Sequence, residues 1–140
     1  MASELRVNTL KDASGNNSIA TSFVAQGSAK VWINFSGSAA TGTADLTGVS
    51  DSFNVTSLVD NDTGDHTVNY TNAMNTTNYA TVDYTAFQGT GRIFNNRMTG
   101  SSNKAAGSIQ VATGFVSATD GSLGAEDTNE NNYANWGDLA

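Results

Sequence analysis

The stretch that most constrains this chain runs from Asp51 to Tyr70. Phe53, Val55 and Ser57 alternate with Asn54 and Thr56. The polar run Asp60-Asn61-Asp62-Thr63-Gly64-Asp65 follows, and His66, Val68 and Tyr70 then alternate with Thr67 and Asn69. Period-two runs on either side of an Asn/Asp/Gly cluster predict two antiparallel strands joined by a turn. Asp and Asn bond their own backbone in such turns, and Gly64 supplies a positive φ.

Composition extends the same tendency to the whole chain. Close to half of the 140 residues are Ser, Thr, Asn or Gly, and only 14 % are charged. Thr suits pleated surfaces, while Gly and Asn suit turns. There is no Pro, so turns rest on Gly, Asn and Asp, and no X-Pro isomerisation slows folding. There is no Cys, which excludes disulfides, thiolate metal sites and a cysteine nucleophile. The net charge of −7 argues against nucleic acid as a partner. Hydrophobic residues are 38 % of the chain. So thin a core is often supplemented by oligomerisation. Residues 1–6 carry no apolar leader and no stretch reaches spanning length, so the expectation is a soluble chain, made in a cytoplasm, without membrane insertion.

Taken in order, residues 3–10 read as a short strand and Lys11 to Asn17 as a turn cluster. Ile19 to Gln26 fits either a helical turn or an extended piece. Lys30 to Ser36 is the clearest strand, with Val31, Ile33 and Phe35 on one face and Trp32 and Asn34 on the other. Trp32 there either covers a sheet edge or meets a second subunit. Gly37 to Gly48 reads as a loop or a flat edge strand. Tyr79 to Phe87, Arg92 to Met98 and Gly107 to Thr119 are further strands, and after Asp120 the chain reads as an acidic tail ending in Tyr133 and Trp136. The division is an N-terminal strand and linker at 1–29, a β domain at 30–119 and the tail at 120–140. Six or seven strands with turns between them predict an antiparallel β-sandwich or small barrel.

No catalytic motif stands out. Asp60 to Asp65 offers oxygens for calcium, but Gly falls at the fifth place of the loop and Thr71 stands where a closing Glu would be. Asp62-Thr63-Gly64 spells the aspartic-protease triplet, yet it lacks apolar flanks and reads as a turn. His66 is the single histidine. With no cysteine, one chain does not build an ordinary zinc site, although a trimer would bring three copies of His66 to an axis. A glycosidase would need paired carboxylates, for which Asp51 and Asp83 are the candidates. Arg92 and Arg97 with Phe94 would stack a base or sugar, or the two arginines would pair with local carboxylates. Trp32, Tyr70, Tyr79, Tyr84, Tyr133 and Trp136 would form a sugar-stacking platform, or else core and subunit interface. No catalytic residue, metal ligand or cofactor is assigned.

Two stretches resemble known proteins. ASELRVNTLKDASGNNSIA is similar to the opening of tail-fibre-like proteins of marine phages. KVWINFSGS, followed by SFNVTSLVDNDTGDHTVNYTNAMNTTNYA, resembles a module of cyanophage tail-fibre and virion-associated proteins, with Trp32, Asn34 and Phe35 opening it. The resemblance covers residues 2–90. It implies a non-enzymatic virion structural protein, a homotrimer, either a tail-fibre or spike subunit for host attachment or a capsid-bound decoration protein. Its partners would be other virion proteins and a host-surface glycan, with the N-terminal segment as anchor. The interface or ligand-binding candidates are therefore Trp32, Phe35, Tyr70, Tyr79, Tyr84, Arg92, Phe94, Tyr133 and Trp136.

Overall fold

The alternation at Val31–Phe35 decides the layering. Val31, Ile33 and Phe35 turn inward and are at most 2 % exposed, whereas Trp32 is 37 % exposed on the other face. A strand sends successive side chains to opposite faces, so one such strand defines an inside and an outside. The computed structural model describes residues 6–15, 18–86, 92–97 and 103–140.

Among the described residues there are eleven strands, more than the turn spacing predicts. They are β1 (Thr9–Lys11), β2 (Ser18–Ala20), β3 (Val31–Phe35), β4 (Val49–Phe53), β5 (Val55–Asp62), β6 (Asp65–Tyr70), β7 (Ala80–Ala86), β8 (Arg92–Arg97), β9 (Ser108–Ser117), β10 (Leu123–Ala125) and β11 (Glu130–Trp136). Among the described residues there is one α-helix, α1 (Thr21–Gly27), and a single 3-10 turn at Gly37–Ala39. All pairings between these strands are antiparallel.

The first large sheet has the order β4-β3-β11-β7. The second is built on β9, whose first half pairs β6, which in turn pairs β5. Beyond Ala112, β9 takes β8 on one edge and β10 on the edge that β6 has left. The β5–β6 turn sits at that junction. Gly64 there has φ 67°, and a Cβ would run into the Thr113 carbonyl oxygen, so the turn requires glycine for both conformation and space.

The two sheets face each other across one core. Phe35, Ile33 and Tyr133 come from the first, and Leu58, Val68, Ile109 and Val111 from the second, with Met74 and Tyr79 from the connection between β6 and β7. This is a mainly β, antiparallel sandwich and not a closed barrel.

The tail expected at 120–140 is instead part of the sandwich. β11 lies in the middle of its sheet, paired to β3 on one side and β7 on the other. Its inward residues are Asn131, Tyr133 and Asn135, all at most 4 % exposed. Buried amides need partners. Asn131 Oδ1 accepts from Thr128 Oγ1 at 2.6 Å and Thr85 Oγ1 at 3.2 Å, and Asn135 Nδ2 donates to Tyr70 Oη at 3.1 Å. Tyr70 Oη donates onward to Tyr79 Oη, which donates to the Ser108 carbonyl. That relay joins the two sheets through their interior.

The N-terminal segment stands outside this core. β1 and β2 form a hairpin leading into α1, in which no residue is buried. The ambiguous stretch 19–26 is thus a strand end followed by a helix. Trp136 Nε1 donates to the Gly27 carbonyl at 3.2 Å, tying the end of α1 to β11. Among the described residues no helix is long and apolar enough to cross a membrane.

Candidate functional site

Because β3 and β11 turn their apolar residues inward, their other residues form an open face, continued on both sides by β4 and β7. Register lines these up in rows. Phe53, Trp32, Ala134 and Val82 make one row across the four strands; Asp51, Asn34, Asn132 and Tyr84 make the next. Tyr84 is 63 % exposed, Val82 61 % and Phe53 52 %. Large apolar groups are seldom set side by side in solvent without a use.

An open groove of about 610 Å³ runs over this face, lined by residues that include Trp32, Asn34, Asp51, Tyr84, Asn132 and Ala134. Ala134 keeps its floor low. Neighbouring strands are about 4.8 Å apart, so Trp32 and Val82, two strands apart, stand roughly 10 Å from each other across that alanine.

The polar row is pre-arranged. Asn34 Nδ2 donates to Asn132 Oδ1 at 2.7 Å, and Asn132 Nδ2 donates to Glu130 Oε1 at 3.1 Å. Asp51 Oδ1 accepts its neighbour Ser52 N–H at 2.8 Å. Each side chain is held by one or two bonds and keeps further donor or acceptor capacity toward solvent. A flat apolar wall beside fixed amides and a carboxylate can hold a ligand with one apolar face and a rim of hydroxyls.

Of the candidates drawn from sequence, Trp32 and Tyr84 are on this face, and Trp136 lies on the same side of β11, its indole N–H engaged with Gly27. Phe35, Tyr70, Tyr79 and Tyr133 are not available to a ligand: all are at most 7 % exposed and belong to the core. Phe35 stacks on Tyr133, and the Tyr70 and Tyr79 rings meet edge to face. Burial raises the pKa of all three tyrosines, so their hydroxyls stay protonated. The side chains of Arg92 and Phe94 lie outside the described residues. Phe53, Val82, Asn34 and Asn132 complete the face. Asn34 was already placed outward by the β3 alternation, and that signal extends to its cross-strand neighbours once pairing is known.

The other readings resolve differently. The register places Asp51 in the outer row with Tyr84, so alternation sends Asp83 to the opposite face, and the two do not form a facing pair. The calcium-like run is a tight hairpin. Asp62 Oδ1 caps Thr63 N–H, and Asp65 accepts Gln110 Nε2 on both oxygens at 2.8 Å. His66 is fully buried against Phe35 inside one subunit, which removes it from any axis that copies would share. No protein-family model, curated protein or solved structure matches the chain.

Proposed function

We propose that this chain is a non-enzymatic structural subunit of a virion, of the tail-fibre or spike kind, that holds a host-surface glycan on the outer face of the β4-β3-β11-β7 sheet. The observation that carries the reading is the exposed row of Phe53, Trp32 and Val82 beside the row in which Tyr84 flanks the fixed amides of Asn34 and Asn132. A pyranose ring presents C–H groups on its faces and hydroxyls at its edge. Aromatic faces bind the first, and amides and carboxylates bind the second. The acidic groups Asp51 and Glu130 beside the aromatic row favour this over burial against another protein, since the centres of protein interfaces are depleted of charge.

The opposite role falls to the N-terminal segment. Val7, Leu10, Ile19, Phe23 and Val24 are all exposed there, outside the core. They supply an apolar surface for anchoring to another virion protein. The sandwich already owns a complete core, so trimerisation serves multivalency: three weak glycan sites on one spike bind a cell surface far more tightly than one.

The test is glycan binding by purified protein, with Trp32→Ala and Tyr84→Ala as variants. Each is expected to weaken binding about tenfold or more while leaving the far-ultraviolet circular dichroism spectrum unchanged, since truncating an aromatic anchor of a binding surface costs about 2 kcal/mol or more. Labelling on intact particles separates attachment from capsid decoration: label at the tail supports the first, label over the head the second. A native mass measurement giving only monomer counts against a trimer.

A further inference from the structure

We infer a divalent transition-metal site, with Zn²⁺ as its occupant, formed by Asp60, His66 and Asp127 at one end of the sandwich and independent of the glycan face. The three side chains come from different parts of the chain. Asp60 on β5 and His66 on β6 are directly opposite in register, and Asp127 lies in the link between β10 and β11. One ligand atom from each lies within 4.8 Å of the other two.

Carboxylates near one another are common and mean little alone. What distinguishes this group is the imidazole in its midst. His66 has no exposed surface, and neither ring nitrogen has a hydrogen-bond partner. Asp60 Oδ1 is likewise buried without a partner. Leaving buried polar atoms unpaired is costly, roughly 1–3 kcal/mol for each group, and an unpaired imidazole nitrogen beside the unpaired Asp60 Oδ1 points to a partner that the two would share. A direct bond between the side chains does not supply it: His66 Nε2 and Asp127 Oδ1 are 3.8 Å apart, too far for a hydrogen bond.

The surroundings hold these groups in place. Asp127 Oδ1 accepts Gly64 N–H at 2.6 Å, and Asp127 O accepts Ser38 Oγ at 3.1 Å. Gly37 lies against the imidazole so closely that a Cβ there would be 2.9 Å from Cε1. Metal bonds of about 2.0–2.2 Å bring ligand atoms to roughly 3.3 Å of each other. Modest side-chain rotations of about an ångström from the present spacing suffice.

Chemistry selects the ion. One imidazole nitrogen and two carboxylate oxygens suit Zn²⁺ and its first-row neighbours, whereas Ca²⁺ takes six to eight oxygens and Mg²⁺ keeps octahedral oxygen ligands. The ion would join the β5–β6 hairpin of one sheet to the segment entering β11 of the other. Its role is to fasten the sheets together, and a water would complete a four-coordinate shell.

The test uses the full chain, stripped with EDTA and titrated with ZnCl₂ by calorimetry, with thermal melts in parallel. The expected result is one Zn²⁺ per chain and a melting temperature raised by roughly 5–10 °C at a hundredfold excess over Kd. Asp60→Asn and Asp127→Asn keep the shape of the side chains, so they fold where removal of His66 from the core would not. Each is expected to weaken Zn²⁺ binding by at least the 10–100-fold typical of losing even an outer-shell partner. Asp62→Asn, in the exposed turn, is expected to leave it unchanged. Co²⁺ in place of Zn²⁺ gives a visible absorption band that reports mixed nitrogen and oxygen ligation. The inference is overturned by the absence of saturable Zn²⁺ binding, by binding that survives the Asp60→Asn/Asp127→Asn double change, or by Ca²⁺ competing on equal terms.

Discussion

Three buried tyrosines show how differently one residue type is used. Tyr70 Oη sits inside a relay, taking the Asn135 amide and giving to Tyr79. Tyr133 Oη is equally buried and has no partner. Removing a hydroxyl from a relay strands its neighbours; removing one that is already stranded relieves a cost. Tyr70→Phe is therefore expected to destabilise by about 1–3 kcal/mol, and Tyr133→Phe to be neutral or to stabilise by about 1 kcal/mol. Urea midpoints of the two variants check the opposite signs.

The same residues set the response to alkali. Burial is the main cause that raises the folded-state pKa of Tyr70, Tyr79 and Tyr133, while in the unfolded chain each titrates near 10. Below about pH 10 both states keep the proton, and stability does not depend on these groups. Above it the unfolded chain releases protons that the folded chain retains, so stability falls as pH rises. The slope is up to about 1.4 kcal/mol per pH unit for each tyrosine. Denaturant midpoints are expected to be flat between pH 8 and 9.5 and to fall beyond pH 10, with a shallower fall in Tyr133→Phe.

Among the elements, the chain changes sheets at a single residue. β4 ends at Phe53 and β5 begins at Val55 in the other sheet, with Asn54 between them at φ 59°. Asn tolerates the left-handed region because its short side chain bonds locally. Here Nδ2 donates to the Lys30 and Asn72 carbonyls, and Oδ1 accepts Asn72 N–H at 2.8 Å. Asn54→Ala loses these bonds and keeps the backbone cost, for an expected loss of about 2–4 kcal/mol. Asn54→Gly removes only the bonds and is expected to lose about half as much. Equality of the two in thermal melts would assign the whole effect to the side chain.

That corner also marks the limit of what sequence reveals. The β5–β6 hairpin was legible because Asn, Asp and Gly bracket alternating runs, and β3 because Val31, Ile33 and Phe35 alternate with polar or exposed neighbours. The local pattern puts Phe53 in the hairpin, since nothing in it shows the backbone inverting at Asn54. β11 was invisible for a different reason. Its buried face is Asn-Tyr-Asn, which imitates a polar tail until Thr128, Thr85 and Tyr70 are seen to satisfy it. The candidate face was half legible: alternation puts Trp32 and Asn34 outside, but the row they belong to exists only through pairing with β4, β11 and β7.

At the level of the whole molecule, the two ends of the chain are of unequal importance, and inversely to what their sequences suggest. The N-terminal hairpin and α1 hold apolar residues, yet those residues are exposed and no residue of α1 is buried. The polar C-terminal segment supplies β11, and without it β3 and β7 lose their shared partner. It also supplies Tyr133, which lies against Phe35 in the core, and the buried amides that connect the sheets. A chain beginning at Ser28 is therefore expected to fold, with a melting temperature within a few degrees of the full chain, since it gives up chiefly the links from Trp136 to the Gly27 carbonyl and from the Lys30 ammonium to the Ala25 carbonyl. A chain ending at Asp120 leaves β4-β3 and β7 as separated edges over an open core, and unpaired strands with an apolar face aggregate. It is expected to be insoluble or to show no cooperative melting transition. Fluorescence-monitored thermal melts of the two truncations distinguish these outcomes, and a cooperative transition in the chain ending at Asp120 would show that the sandwich does not depend on β11.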